Sequence, residues 1–144
     1  MVQEKQPVTT TSARVLVVED ESIIRMDIEN ALKRAGHAVV ASCASGEEAI
    51  ELCAEHKPEV VLMDIALNGP LSGIDAAHVI HETAGSAVIF LTANSDVATV
   101  NRARTAMPYG YVIKPFRPVD LSVAIEMAVH NHVQDKRARR ERDD

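Results

Sequence analysis

The sequence predicts an α/β fold in which five parallel strands alternate with five helices, the helices covering both faces of one sheet. Three observations predict it. The short runs Val15-Leu16-Val17-Val18, Val60-Val61-Leu62-Met63 and Ala87-Val88-Ile89-Phe90-Leu91 are continuously apolar rather than alternating, as strands buried on both sides are. The segments between them carry apolar residues at helical spacing. Each run ends in polar residues at its carboxyl end, which is where open α/β sheets bind ligands.

The elements follow in order. Met1 to Ala13, rich in Thr, Gln and Ser and without periodicity, reads as a disordered leader. Strand one, from Arg14, finishes in Glu19, Asp20 and Glu21. Ser22 suits the N-cap of a first helix with Ile23, Ile24, Ile28, Ala31 and Leu32 on its apolar side and Gly36 at its end. Ala38 to Ala41 is a short second strand, and Ser45 with Glu48 forms a capping-box pattern before a helix through Ala49, Ile50, Leu52 and Cys53. Strand three is Val60 to Asp64, bounded by Pro58 and by Gly69-Pro70. A third helix runs from about Ile74 to His81 and stops at Gly85. The fourth strand finishes at Thr92-Ala93, and Asn94, Ser95 and Asp96 offer caps for a helix through Val97, Val100 and Ala103 that must end before Pro108. Strand five, Tyr111 to Ile113, finishes at Lys114-Pro115, and Pro118 and Asp120 suit the first turn of the last helix.

At 144 residues the chain is one domain. Hydrophobic residues make up 47% with no Trp, two Phe and two Tyr, so the core is aliphatic. A net charge of −6 argues against nucleic-acid affinity, which relies on Lys and Arg neutralising phosphates, and no direct DNA binding is expected. Cys43 and Cys53 lie outside any metal-ligand spacing and read as buried thiols. No run approaches the roughly 18 apolar residues of a membrane span and no signal core is present, so the expectation is a soluble, cytoplasmic protein with no membrane partner.

The strand ends bring Glu19, Asp20, Asp64, Thr92 and Lys114 to one edge. Three carboxylates gathered there repel one another unless a cation stabilises them, and all-oxygen ligands suit a hard ion such as Mg2+. A Lys as a point charge for phosphate and a Thr hydroxyl complete a phosphoryl site whose acceptor is a carboxylate nucleophile. Taken singly, each residue has a plainer reading: a solvated turn for Glu19-Asp20-Glu21, a cap for Asp64, surface positions for Thr92 and Lys114.

Four motifs, each at a strand end and in this order, resemble the receiver domain of two-component response regulators from about Arg14 to Val133: Val17-Val18-Glu19-Asp20-Glu21, Leu62-Met63-Asp64-Ile65, Leu91-Thr92-Ala93 and Gly110-Tyr111-Val112-Ile113-Lys114-Pro115-Phe116. The resemblance implies a flavodoxin-like doubly wound sheet of order 2-1-3-4-5 and Asp64 as phosphoacceptor, charged by a histidine kinase or phosphotransfer protein. It implies Mg2+ held by Glu19, Asp20, Asp64 and the Ala66 backbone carbonyl, Lys114 paired with the phosphoryl group, and a cis bond to Pro115. Thr92 and Tyr111 would be the switch pair, with the small Ala93 leaving access to the phosphoryl group. Glu19 stands where the family more often has Asp, which implies a water-mediated metal contact. The loop Asn68-Gly69-Pro70-Leu71-Ser72 is about one residue longer than usual. Ala66 and Asn94 occupy positions that in this family set how fast water removes the phosphoryl group.

The rest of the chain adds surfaces. His78 and His81 share a helix face without a third ligand, while His130 and His132 do not face each other. Residues 134–144 read as a charged tail continuing the last helix, too short for a DNA-binding output module. Val119, Val123 and Met127 form an apolar stripe opposite Leu121, Ile125, Ala128 and Val129. Since receivers commonly pair through the fourth helix, fifth strand and fifth helix, the stripe implies a homodimer contact or a downstream protein target. The rivals are an aspartate-nucleophile phosphatase, a nucleotide-binding module and a phosphate-independent scaffold. The first would carry a second acid where Ala66 stands, the second a Gly-rich turn where Glu19-Asp20-Glu21-Ser22 stands, and the third would lack the intact acid, Thr and Lys set.

Overall fold

The computed structural model describes residues 12–93 and 97–143. Five strands, β1 (Arg14–Val18), β2 (Ala38–Cys43), β3 (Val60–Asp64), β4 (Ala87–Ala93) and β5 (Gly110–Lys114), form one parallel sheet, as the sequence predicts, in the order β2-β1-β3-β4-β5 that the resemblance implies. Helices α1 (Ser22–Arg34), α2 (Gly46–His56), α3 (Gly73–Thr83), α4 (Val97–Ala103) and α5 (Pro118–Asp143) connect and cover it, with a 3-10 turn, Arg104–Ala106, after α4.

Alternate residues of each apolar run face opposite cores. Val15, Val17, Val60, Leu62, Ile89 and Leu91 pack with Ile28 and Leu32 of α1 and Leu121 and Ile125 of α5. Leu16, Val18, Val61, Met63, Val88 and Phe90 pack with Ala49 and Cys53 of α2 and with Ile74, Ala77 and Ile80 of α3. Both faces are therefore buried, which is why the strands carry no polar alternation. Both cysteines are free and buried, and burial pushes the Cys43 thiol up to about 11 and that of Cys53 to about 12, so both stay protonated and inert.

Several boundaries differ from expectation. Residues 1–11 of the expected leader lie outside the described residues, but Ser12 and Ala13 belong to the fold. Ala13 is fully buried, its N–H donates to His37 Nδ1 (3.0 Å), and its carbonyl accepts from Ala38 N (2.9 Å), so it extends the pairing of β1 with β2. Ser22 is the first residue of α1 rather than its cap; Glu21 holds the N-cap without a side-chain bond. Ile23 is 77% exposed, off the apolar side to which its spacing assigned it. β2 runs on to Cys43, beyond the expected Ala41, after a register shift between Val15 and Leu16 of β1. The caps expected at Asn94, Ser95 and Asp96 lie outside the described residues, and so does the rate-setting role expected of Asn94. Ser45 caps α2 as expected, its Oγ accepting from Glu48 N (3.2 Å), whereas Ser72, read from the sequence as a loop residue, caps α3 by accepting from Asp75 N (3.1 Å).

α5 reaches 26 residues. Its far half is fastened to the amino ends of β4 and β5. His132 Nε2 lies 2.5 Å from the Gly85 carbonyl, and Tyr109 Oη donates to Asp135 Oδ2 (2.5 Å). Among the described residues no helix is long and apolar enough to cross a membrane.

Candidate functional site: an acidic pocket at the carboxyl edge of the sheet

β1, β3, β4 and β5 all deliver a polar residue to the same edge because they run parallel and in register. Asp64 pairs with Leu91 and Ala93 with Lys114, so the ends of β3, β4 and β5 lie side by side. Glu19 leaves β1 with its N–H donating to the Cys43 carbonyl (3.1 Å), and its side chain turns inward until none of it is exposed.

The structure brings Glu19, Asp20, Asp64 and Lys114 together. One carboxylate oxygen from each of the three acids lies within 4.8 Å of the others. Lys114 Nζ donates to Glu19 Oε1 (2.9 Å) and to Asp64 Oδ2 (3.2 Å). The second oxygen of Asp64 accepts from Ala66 N (2.9 Å), and Asp20 Oδ2 accepts from Asn68 N (3.1 Å). The loop after β3 is thus tied to the pocket by its own backbone. Burial, followed by the neighbouring Asp64, pushes the Glu19 carboxyl up to about 7, against the opposing pull of Lys114. Burial alone would depress the Lys114 ammonium; its bonds to Glu19 and Asp64 outweigh that and hold its pKa above the ordinary value. One cation among three acids leaves the pocket short of positive charge. The donor set is hard oxygen throughout, which fits a divalent cation of the Mg2+ kind and no softer metal. Among the described residues no other group of three His, Cys, Asp or Glu could hold a metal, and His78 instead bonds Thr105 Oγ1 (3.0 Å).

The other expected residues sit nearby without joining the cluster. Thr92 is buried, its hydroxyl donating to the Ala93 carbonyl (3.1 Å), and Ala93 is exposed. Tyr111 pairs in register with Phe90 and packs its ring against it, centroids 6.1 Å apart. Its hydroxyl is enclosed without a hydrogen-bond partner, and among the described residues no hydrogen bond joins it to Thr92. The Lys114-Pro115 peptide is cis. Val119, Val123 and Met127 are 39%, 50% and 60% exposed.

Three contributors to the site escaped the sequence reading. Arg25 Nη1 donates to the Glu19 carbonyl (2.6 Å) and so fixes the turn that aims the acids. Asn68 acts through its backbone. Gly73 lets α3 press on the end of β3, where a Cβ would stand 2.2 Å from the Asp64 carbonyl oxygen. A glycine at the start of a predicted helix was the one available signal, and it pointed to close approach.

Known proteins are similar to this chain in sequence and fold. The family model for the response regulator receiver domain matches residues 15–126. Transcriptional regulatory protein PdtaR of Mycobacterium tuberculosis is 43% identical over 116 residues, 81% of this chain and 56% of that protein. Chemotaxis protein CheY of Thermotoga maritima is 35% identical over 106 residues, 73% of this chain and 88% of that protein. The signal receiver domain of a modulated diguanylate cyclase from Desulfovibrio desulfuricans superposes with a TM-score of 0.82 at 32% identity, over 87% of this chain and 99% of that one. Apart from CheY, the chain spans about half the length of the curated relatives named for regulation. With the family model matching residues 15–126 and a relative 43% identical over 81% of this chain, the chain belongs to the response regulator receiver domains of two-component signalling.

Proposed function

We propose that the chain is a phosphorylation switch in which Asp64 accepts a phosphoryl group from a phosphohistidine on a histidine kinase or phosphotransfer protein. One observation carries the reading: three strand-end carboxylates lie within 4.8 Å of one another with Lys114 bonded to two of them. An Asp64 oxygen attacks phosphorus as the P–N bond to the donor imidazole breaks, and the electron pair stays on that nitrogen, so a ring already protonated at its other nitrogen leaves as neutral imidazole. Lys114 moves from balancing Glu19 and Asp64 to pairing with the phosphoryl oxygens. Ala66 N–H, already bonded to Asp64, holds the attacking carboxylate in place. Glu19, Asp20, Asp64 and the Ala66 carbonyl would hold Mg2+, which supplies the positive charge the pocket lacks.

Thr92 then turns its hydroxyl to the phosphoryl group and Tyr111 follows into the space vacated, biasing two nearly equal conformations. Output runs through protein contacts in the cytoplasm, to a downstream target or to a second copy through α4, β5 and α5. A net charge of −6 supports protein rather than DNA as the target. The chain is read as a phosphoacceptor and not as an enzyme. An aspartate-nucleophile phosphatase is disfavoured by Ala66 where its second acid would stand, and a phosphate-independent scaffold by the complete acid, Thr and Lys set.

Incubation with acetyl phosphate, with and without Mg2+, followed by mass spectrometry, tests the reading. The wild type should gain one phosphoryl mass only with Mg2+, and Asp64→Asn should gain none. An unchanged increment in Asp64→Asn would move the acceptor elsewhere.

A further inference from the structure

At the end of the sheet opposite Asp64, where β4 and β5 begin, lies a second cleft of about 430 Å³. Its walls come from the end of α3, from the turn into β5, and from the part of α5 beyond residue 126, where the family match stops. Two guanidinium groups, Arg104 and Arg139, line it from different elements, and neither makes an ion pair among the described residues. The acid in the wall, Asp135, is engaged by the Tyr109 hydroxyl at 2.5 Å. With two guanidinium groups to one carboxylate, the cleft carries an excess of positive charge on a chain whose net charge is −6.

Met107 stands in the same cleft, 62% exposed, on a backbone with φ 53° that non-glycine residues seldom adopt. An apolar side chain is thus exposed in a cleft that two cationic ones also line. Tyr111 forms another part of the wall, its hydroxyl enclosed without a partner and within the field of Arg104. A volume of this size exceeds what a single inorganic anion fills and falls in the range of organic ligands and short side-chain clusters.

We propose that this cleft binds a short acidic segment of a partner protein, its carboxylates facing Arg104 and Arg139 and an apolar residue seated on Met107. Charge complementarity selects the acid, and the mixed lining selects a peptide over a small anion. Nucleic acid is the poorer occupant because its affinity rests on many phosphates each meeting a Lys or Arg, and the two guanidinium groups of this cleft serve only a short acidic segment. Binding itself is independent of the function proposed above. Its communication with Asp64 rests on that function, because Tyr111 is both a wall of the cleft and the proposed follower of Thr92.

The test is fluorescence anisotropy of a labelled peptide of glutamates flanking one leucine, titrated with the whole chain at low salt. Saturable binding is expected, weakened at least about tenfold by Arg104→Glu with Arg139→Glu and unchanged by Lys33→Glu on α1. The milder pair Arg104→Gln with Arg139→Gln, which removes charge with little change of shape, should weaken it too. Tyr111 ring signals in NMR should shift on addition of the peptide, in the wild type and in Asp64→Asn alike. Absence of saturable binding, equal binding by the Gln pair, or tighter binding of an oligothymidylate than of the peptide would each overturn the proposal. Phosphoryl uptake by these variants is read separately by mass, so failure of the cleft and failure of the Asp64 switch give different results.

Discussion

Gly73 shows at the scale of one residue how the acceptor is held. A Cβ at that position would stand 2.2 Å from the Asp64 carbonyl oxygen and 3.1 Å from Ile65 Cα, so either α3 or the end of β3 would have to move. Both are packed into the same core, and forcing one extra carbon into such a place costs about 1–3 kcal/mol. Gly73→Ala should lower the unfolding free energy measured in urea by an amount in that range and also slow phosphoryl uptake, because the moving atom belongs to the acceptor. Gly46→Ala, where the nearest atom is the Ala76 Cβ at 3.1 Å, serves as the comparison and should leave uptake unchanged. Full stability in Gly73→Ala would show that the contact relaxes freely. The strand-end acids, Thr92 and Lys114 could be read from the sequence because being last in an apolar run is a property of the chain in one dimension. The roles of Arg25, Asn68 and Gly73 could not, since each acts on a residue that only the folded chain brings near. Nor could the burial of Glu19, whose neighbours Asp20 and Glu21 make it look like part of a solvated turn.

At the scale of elements, the sequence pattern located the five strands and five α-helices of the described residues but not the 3-10 turn Arg104–Ala106, and the misreadings fall at the joints. Glu21 rather than Ser22 caps α1 because the chain turns early: Arg25 N–H bonds the Glu21 carbonyl (2.9 Å) while the Arg25 side chain takes the Glu19 carbonyl. The α1–β2 joint holds a buried histidine. His37 is 4% exposed, its Nδ1 accepts from Ala13 N–H, and its Nε2 has no partner. Burial depresses its pKa below 6.5, opposed by the nearby carboxylates of Glu126 on α5 and Glu59 before β3. Protonating Nδ1 would also break the bond that brings Ala13 onto the sheet. Between the folded pKa and the unfolded value the unfolded chain binds more protons, so stability rises with pH through that window. The contribution of His37 is fully present above about 6.5 and is lost as pH falls toward the folded value. His37→Asn keeps an acceptor near Nδ1 without the titration. The difference in unfolding free energy between wild type and variant should therefore shift in favour of the variant from pH 7.5 to pH 5. Burial also depresses the His132 pKa, but that effect is common to both proteins and cancels. A constant difference across that range would mean that His37 titrates as it does in the unfolded chain.

For the whole molecule the question is what meets the far side of α5. One side is spent on the sheet through Leu121, Ile125 and Ala128, all buried. The other carries Val119, Val123 and Met127, which with Ile113 of β5, 50% exposed, line an open groove of about 550 Å³. Val97 on α4 is 75% exposed as well. Apolar side chains gathered on neighbouring elements mark an interaction surface more reliably than the same number scattered. A two-fold axis through such a surface would set each copy's stripe against the other's, burying it from both sides at once. The patch is small beside the 1,200–2,000 Å² of a standard stable interface, so pairing should be weak and readily tipped by the state of Tyr111, which lines the same groove. In sedimentation at near-physiological salt, the phosphorylated wild type should then show dimer where the unphosphorylated chain shows monomer. Val123→Glu with Met127→Glu sets like charges across the axis and should return the phosphorylated protein to monomer. Because the chain already carries net negative charge, Val123→Ser with Met127→Gln separates the causes: loss of apolar area alone should weaken the dimer, and to a smaller extent. Both variants leave the acidic pocket untouched, so phosphoryl uptake by mass should match wild type. If wild type and both variants sediment as the same monomer after phosphorylation, the stripe serves a different protein, and the homodimer assigned to this face falls.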